Sequence, residues 1–254
     1  MTPPRVVVWY SCGVTSAVAA HLTIKAGHDP IIAYCASTLS TEHPDNERFI
    51  ADCEQWFNRP IRRLYSKKYT DIYDVFRRTK WLVGPRGARC TTELKKLVRR
   101  DFEDLTDLQV FGFSAGEQRR ADRFRESNPE VRLSVPLIDQ GVTKAQAIEI
   151  LKRAGIELPI MYRLGYRNNN CIGCVKGGQG YWNKIRDDFP EVFARTAAIE
   201  REMGTSIHRH RKGPHKGDSL YLDELPRGVG RYEQEPDIQC GIWCGQQNLF
   251  EVTP

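Results

Sequence analysis

The sequence predicts an α/β fold in which a parallel sheet is covered by helices on both faces. Short apolar runs rich in β-branched residues alternate with amphipathic stretches over the first 140 residues, and this alternation is typical of a parallel sheet. A chain of 254 residues with 40% apolar residues can bury a sizeable core, as one large domain or two small ones. We therefore expect a globular protein.

Each element follows from its local pattern. The first apolar run ends in a turn containing Gly13, and the helix after this turn is closed by Gly27. In the next helix, Phe49, Cys53 and Trp56 fall on one face. The predicted strands cover 5–10, 30–35, 61–65 and 108–113, and the predicted helices cover 17–24, 45–57, 70–78, 91–105, 144–154 and 188–203.

The sequence changes character beyond Pro136. After two further helices it becomes irregular and dense in glycine, proline and charge. We expect residues 1–140 to form the α/β core and residues 141–254 to form a helical and irregular region that packs on it.

Composition indicates the compartment and the kind of partner. No segment approaches the ~20 apolar residues of a membrane span, and the N-terminus lacks the apolar region of a signal peptide. We expect a cytoplasmic protein without a membrane partner, in which eight cysteines serve metal or redox chemistry more than disulfides. The net charge of +6 favours anionic partners, either nucleotide or nucleic acid.

The turn after the first strand is a candidate anion site. Its residues are Ser11, Cys12, Gly13, Val14, Thr15 and Ser16. Backbone N–H groups at the start of a helix favour phosphate or sulfate, and the serine hydroxyls are additional donors. The alternative is an ordinary helix cap. The turn is not a Walker loop, because the Gly-Lys-Ser/Thr ending is absent.

Cysteines from three distant segments suggest a soft metal centre. They are Cys90, the pair Cys171 and Cys174, and the pair Cys240 and Cys244. Thiolates hold iron–sulfur clusters or zinc. A zinc site made by the two pairs would leave Cys90 unused. For Cys12, Cys35 and Cys53 we expect the role of small buried residues.

Two groups of basic residues each have two interpretations. The cations around Cys90 are Arg86, Arg89, Lys95 and Lys96, and they either bind phosphate and sulfate oxygens or form a solvated helix face. The basic run at 208–216 is either a contact for a tRNA or DNA backbone or a surface loop.

Several motifs together resemble the phosphoadenosine phosphosulfate (PAPS) reductase branch of the PP-loop, or adenine-nucleotide α-hydrolase, superfamily. The turn at 11–16 is similar to the superfamily's Ser-Gly-Gly-Lys-Asp-Ser loop, with Val14 and Thr15 in place of Lys and Asp. Glu42 lies in a segment that resembles Glu-x-Pro-Glu. The stretch with Gly112, Glu117 and Arg120 resembles a substrate-binding motif, and 136–174 follows the family's order of motifs.

The resemblance implies a Rossmann-like nucleotide-binding core, a C-terminal metal-binding appendage, and roles for the cysteines. Cluster-bearing members have a Cys-Cys pair about eighty residues before a Cys-x-x-Cys, and Arg89 replaces the first of that pair here. Cys90, Cys171 and Cys174 are thus candidate ligands of a [4Fe–4S] cluster, with Cys244 or Cys240 as the fourth. The segment around Cys240 resembles a C-terminal Glu-Cys-Gly-Ile-His motif whose cysteine is the nucleophile. Gln239 and Trp243 replace its Glu and His, so ligand and nucleophile remain interchangeable for Cys240.

Three functions are compatible with these features. The first is a sulfonucleotide reductase that takes PAPS or APS and is reduced by a thioredoxin-like dithiol. The second is a relative that uses ATP, with Mg²⁺, to adenylylate and thiolate tRNA or DNA. The third is a zinc-stapled nucleotide-binding module. The oligomeric state is not predicted.

Overall fold

A five-stranded parallel sheet forms the centre of the molecule. The computed structural model describes residues 4–84, 87–210 and 213–238. Two short antiparallel hairpins, β4–β5 and β8–β9, lie outside the sheet. The strands are β1 (Val6–Tyr10), β2 (Ile31–Cys35), β3 (Ile61–Leu64), β4 (Val83–Gly84), β5 (Gly87–Ala88), β6 (Leu108–Phe111), β7 (Arg132–Ser134), β8 (His208–Arg209) and β9 (Ser219–Leu220).

The order of strands in the sheet is β3-β2-β1-β6-β7. Every pair is parallel, with Val8 opposite Ile32 on one side and opposite Val110 on the other. The chain winds outward from β1 in one direction and then returns to form β6 on its other side. The strand order therefore reverses between β1 and β6, and such a reversal opens a crevice at the carboxyl ends of the two strands.

Helices cover both faces of the sheet and form a separate C-terminal layer. The helix that carries Cys90 contains one π turn, Thr92–Lys96. The helices are α1 (Val14–Lys25), α2 (Asn46–Phe57), α3 (Ile72–Thr79), α4 (Arg89–Thr91), α5 (Leu97–Phe102), α6 (Gln118–Ser127), α7 (Pro136–Asp139), α8 (Lys144–Arg153), α9 (Ile160–Arg163), α10 (Gln179–Asp188) and α11 (Pro190–Met203).

Alternate residues of β1 build the two halves of the sheet core. Val8 and Tyr10 pack with α1, α2 and α8, whereas Val7 and Trp9 pack with α5 and α6 on the opposite face. All five residues of β1 are buried. Because helices cover both faces of the sheet, every position of this strand is apolar, and the strand is a continuous apolar run in the sequence. This arrangement confirms the predicted α/β class with a helix-flanked parallel sheet.

The C-terminal half packs around α10 and α11. Trp182 and Ile185 of α10 are fully buried there with aromatic neighbours, and Cys174 belongs to the same apolar cluster. A second cluster joins α3 and the first hairpin to Cys90 and Cys171. The predicted division near residue 140 stays a prediction. Within the described part of the chain, no helix is long and apolar enough to cross a membrane.

The structure also contains elements that the sequence pattern did not predict. They include the helices α6, α7, α9 and α10, the strand β7 and the two short hairpins. The predicted helix at 91–105 begins at Arg89, is interrupted by the π turn and ends at Phe102. The predicted strand at 108–113 ends at Phe111, since the chain turns there to line the crevice.

Candidate functional site

A cavity of about 580 Å³ opens where the strand order reverses. Ser11 and Gly13, just beyond β1, form one wall, and Gly112 and Ser114, just beyond β6, form another. Other contributions come from Lys95 on the π turn, from α6, and from the segment before Cys171. The cavity thus occupies the position at which open parallel sheets bind their ligands.

The two walls touch at Gly112. A Cβ atom built on Gly112 would lie 2.7 Å from both the N and the Cα of Ser16. Because these are backbone atoms at the start of α1, they cannot move aside as the end of a side chain can. Only glycine allows β6 to approach the first turn of α1 this closely.

The turn between β1 and α1 is organised around the hydroxyl of Ser16. This oxygen accepts hydrogen bonds from the backbone N–H groups of Ser11 (3.0 Å) and Gly13 (3.3 Å), and it donates to the Gly13 carbonyl (2.9 Å). The Ser16 side chain therefore serves the turn itself. Ser11 and Thr15 are the hydroxyl-bearing residues of this turn that line the cavity.

Cys12 has a positive φ of 57°, which is unusual for a residue with a side chain. The Asn169 amide holds this conformation by donating to the Cys12 carbonyl at 2.7 Å and to Oδ1 of Asn46 at 2.7 Å. The thiol of Cys12 is fully buried, and burial raises its pKa well above the ordinary value. This thiol belongs to the core and stays protonated at neutral pH.

Glu42 is buried below the same network. Its carboxylate accepts hydrogen bonds from Tyr34 (2.7 Å), Thr38 (2.7 Å) and the Asn46 amide (2.8 Å). These neutral donors join the end of β2 to the start of α2. The observed role of Glu42 is to fix this connection and, through Asn46, the position of Asn169.

Positive side chains dominate the charge of the cavity wall. Glu117 joins the end of β6 to α6, since it accepts from the N–H (2.9 Å) and hydroxyl (2.8 Å) of Ser114 and pairs with Arg120. The other carboxylate in the wall is Asp237. An anionic ligand is therefore favoured here. The basic residues in the wall are Lys95, Arg119, Arg120, Arg123 and Lys144.

Lys144 and Tyr162 form the side of the cavity next to residues 231–238, which we call the tail. Burial lowers the pKa of Lys144, whose ammonium donates to the Asn168 amide oxygen at 2.8 Å and to the Arg167 carbonyl. Burial raises the pKa of Tyr162 to about 12, which backbone hydrogen bonds from Val14 and Asn169 partly oppose. The phenol is therefore protonated at neutral pH and is available as a hydrogen-bond donor.

The last described residues of the chain are held against this wall. The amide groups of Asn168 and Asn170 both reach the Ile238 carbonyl, at 3.5 and 3.3 Å. Arg167 pairs with Asp237 at 3.0 Å and also binds the Tyr232 carbonyl. Asp237 and Ile238 consequently line the cavity.

A second anchor lies a few residues earlier in the tail. The carboxylate of Glu235 accepts from the backbone N–H groups of Gly180 (2.7 Å) and Tyr181 (3.1 Å) in the first turn of α10. A Cβ on Gly180 would lie 2.5 Å from the backbone N of Tyr232. Glycine at this position thus permits the tail to cross the start of α10 in backbone contact.

The candidate metal ligands are partly described. Cys90, Cys171 and Cys174 are at most 9% exposed, and the first two share one apolar cluster. Tyr181 ties the turn of the pair together, since its hydroxyl accepts from the Cys174 N–H (3.0 Å) and donates to the Cys171 carbonyl (3.4 Å).

Three buried thiols suit iron or zinc by their chemistry. In the ranges that the structure describes, however, no group of three or more His, Cys, Asp or Glu side chains could hold a metal ion. Cys240 and Cys244 lie outside the described residues, as does Arg86. Both the iron–sulfur cluster and the zinc site stay predictions.

The structure separates the predicted nucleotide-binding residues into two groups. The side chains of Cys12 and Val14 point into the core, Ser16 holds the turn, and Glu42 belongs to the buried network; these four are not part of the cavity wall. Those in the wall are Ser11, Gly13, Thr15, Gly112, Glu117 and Arg120.

Sequence reasoning did not place several other residues at the site. Arg119 and Arg123 are four residues apart, which places them on the same face of a helix, and Arg120 lies beside them. This could not be recognised from the sequence because α6 was not predicted. The contact between the tail and the turn could have been suspected from the three consecutive asparagines before Cys171. Each of their amide groups has two N–H donors, which can bind backbone carbonyls.

Comparison with known proteins leaves the site to be interpreted from its own chemistry. Neither the protein-family models nor the curated proteins gave a match to this chain.

Proposed function

We propose that the cavity binds an adenine nucleotide that carries an activated sulfate, and that the chain transfers this sulfur to Cys240. The observation that carries the proposal is the position of Ile238. The tail is fixed in the cavity wall at this residue, and Cys240 follows it by two positions in the sequence. Two fully extended residues span at most about 7 Å between Cα atoms.

The wall offers suitable groups for such a ligand. Phosphate and sulfate oxygens would be bound by the cations of the wall, Lys95, Arg119, Arg120 and Arg123, and by the Thr15 hydroxyl. The Ser11 hydroxyl donates to Ser16 at 3.1 Å and would turn from it to bind the ligand. The charge of the cations would also stabilise the phosphate that leaves. The phenol of Tyr162, protonated at neutral pH, would orient an oxygen of the ligand without accepting its proton.

The reaction is balanced by a dithiol. The Cys240 thiolate attacks the sulfate sulfur, so that an S–S bond forms while the bond from sulfur to the nucleotide phosphate oxygen breaks. Adenosine phosphate leaves with that electron pair. A thioredoxin-like dithiol then attacks Cys240, releases sulfite and becomes a disulfide, and its two electrons reduce sulfur from the +6 to the +4 state.

A metal centre is not required by these steps. If a cluster or zinc ion is bound, Cys90, Cys171 and Cys174 would contribute ligands, and a thiol that coordinates the metal would be held as the thiolate. Cations of the cavity wall would favour the Cys240 thiolate by electrostatic attraction.

The experiment measures nucleotide binding and sulfite release separately, with protein purified without oxygen. PAPS or APS is supplied with a thioredoxin-like dithiol, and sulfite is quantified. Cys240→Ser should bind adenosine 3′,5′-bisphosphate as the unchanged chain does but release no sulfite. Gly13→Val should weaken nucleotide binding, since its side chain would project towards Tyr162, whose oxygen lies 3.4 Å from a Cβ built on Gly13.

Cys53→Ala is the matched control, because this thiol is fully buried in the core. It should retain both binding and sulfite release. Sulfite release that persists in Cys240→Ser would refute the role of this cysteine. An unchanged chain that binds neither nucleotide nor bisphosphate would refute the assignment of the cavity.

A further inference from the structure

Positive charge is concentrated in one segment of the chain. From Arg59 to Arg100 there are fourteen Lys or Arg and three Asp or Glu, a net charge of +11, whereas the whole chain carries +6. The remaining residues therefore sum to −5. Five of these cations pair with carboxylates that lie outside the segment. A net charge of +6 remains there, and it gives the segment a positive local field.

Contacts show that much of this segment forms one continuous face at the edge of the sheet. Lys67 pairs with Asp101 of α5 at 3.1 Å, and Arg62 lies 4.9 Å over the ring of Phe102. On the other side, Arg78 of α3 donates to the Lys68 carbonyl at 2.6 Å. The end of β3, the loop after it, α5 and the end of α3 thus join in a surface that we call the β3 face.

The acidic side chains on the β3 face are already neutralised. Asp101 is paired with Lys67, and Asp74 is paired with Arg78. Within the described ranges, Arg62, Lys68 and Arg100 form no ion pair and are exposed. The face consequently keeps a surplus of cations for an external anion.

An exposed aromatic ring lies just beyond the end of β3, where its hydroxyl is hydrogen-bonded to Arg63. The Tyr65 side chain is 61% exposed between Arg62 and Lys67 in sequence, and it is among the most exposed large hydrophobic residues described. Trp81, just after Lys80 at the end of α3, is 44% exposed. A ring of this kind next to cations is the arrangement on which nucleic-acid bases stack while the backbone is held electrostatically.

We infer that the β3 face binds single-stranded nucleic acid, with its cations on the phosphates and Tyr65 stacked on a base. An acidic protein would use the cations equally well, but the exposed ring beside them favours a ligand with flat π faces. The inference rests on charge and exposure outside the cavity, and it does not depend on the sulfur chemistry proposed there.

Fluorescence anisotropy with a labelled oligothymidylate tests the inference on the full chain. The unchanged protein should bind, and its affinity should fall steeply between about 50 and about 200 mM salt. The triple variant Arg62→Gln, Lys68→Gln, Arg100→Gln should bind about a hundredfold more weakly at 0.1 M salt. Its salt slope should be smaller by about 2, since each single-strand phosphate contact contributes ~0.7.

Tyr65 is tested separately because stacking and charge have different signatures. Tyr65→Ala should lose about tenfold in affinity with the salt slope unchanged, and Tyr65→Phe should bind normally. If Tyr65→Ala binds as well as the unchanged chain, or if duplex DNA competes as well as the single strand, the single-strand assignment is overturned.

The charge-matched control lies on the opposite helix layer, where α1 packs against α8. Lys25→Gln, Lys152→Gln, Arg153→Gln removes the same three charges there and should leave binding within about twofold of the unchanged chain. An equal loss in this control would mean that net charge alone binds the probe, and it would overturn the inference.

The other basic run provides a competing location. Substituting Arg209, His215 and Lys216 with glutamine removes charge from the loop around the second hairpin, and binding should persist. If that variant loses the probe while the β3 variant retains it, the face has been wrongly assigned. Circular dichroism and urea midpoints confirm that every variant is folded.

Discussion

Replacing Glu235 with alanine should release the tail from the first turn of α10. Its carboxylate accepts two backbone hydrogen bonds, of 2.7 and 3.1 Å, from Gly180 and Tyr181. A hydrogen bond to a charged group contributes about 1.5–3 kcal/mol when buried, and a helix cap contributes about 0.5–2 kcal/mol. Since Glu235 is only partly buried, we expect the tail to lose about 2 kcal/mol of docking free energy.

Limited trypsin digestion measures this loss directly. Arg231 lies in the tail just before Tyr232 and is exposed, and cleavage after it requires the tail to leave α10. A change of about 2 kcal/mol corresponds to a roughly thirtyfold larger open population, so cleavage should accelerate by about that factor. Mass spectrometry of the released C-terminal peptide gives the rate.

Two further variants separate the cap from other effects. Glu235→Gln keeps an acceptor oxygen without the charge, and it should accelerate cleavage about fivefold, because charge-assisted bonds are roughly twice as strong as neutral ones. Glu233→Ala changes an exposed carboxylate two residues away and should leave the rate unchanged. If Glu235→Ala is cleaved no faster than Glu233→Ala, the cap does not hold the tail.

Two other predictions concern the core. Gly112→Ala should lower the free energy of unfolding by about 1–3 kcal/mol, because its Cβ meets backbone at 2.7 Å. Gly116→Ala should leave this free energy unchanged, because a Cβ on Gly116 meets no atom within 4 Å. Equal urea midpoints for the two variants would refute the close approach at Gly112. Burial raises the pKa of Glu200 from 4.5 to about 7. Between these two pH values the folded state binds a proton at Glu200 that the unfolded state has lost. The free energy of unfolding should therefore fall by about 3 kcal/mol as the pH rises from 4.5 to 7. Urea unfolding should show this slope in the unchanged chain and lose it in Glu200→Gln, and a slope retained by the variant would contradict the assignment.

The surroundings of the Glu200 carboxylate are the reason why the free energy of unfolding should depend on pH. It is completely buried and accepts from the N–H groups of Ile207 (2.5 Å) and Leu222 (2.6 Å). These bonds favour the ionised form, but desolvation is the larger effect. Glutamine retains one acceptor oxygen and cannot ionise, so the variant isolates the titration.

Sequence patterns were sufficient for the three central strands, β1, β2 and β6, because these are buried on both faces of the sheet. Runs such as Val6–Tyr10 carry this information in composition alone. Helix α6 was missed because only Ala121 and Phe124 of its ten residues are buried, which leaves a weak periodicity. Strand β7 has three residues, too few to show alternation.

The position of the cavity could be predicted from the sequence, but the contacts of each residue around it could not. A turn after β1 predicted where a ligand would bind, since that edge follows from the parallel order of strands. The pattern did not reveal that the Ser16 hydroxyl would bind the backbone of Ser11 and Gly13 and thereby serve the turn instead of the cavity. The carboxylate of Glu42 is likewise held by Tyr34, Thr38 and Asn46, whose meeting is set by tertiary packing.

The three consecutive asparagines, Asn168 to Asn170, connect the tail to the turn between β1 and α1. The amides of Asn168 and Asn170 donate hydrogen bonds to the tail at Ile238, and the amide of Asn169 donates to the turn at Cys12. A ligand that straightens the turn must therefore alter the affinity of the cavity wall for the tail, and by thermodynamic reciprocity the docked tail must alter the affinity for the ligand by the same factor.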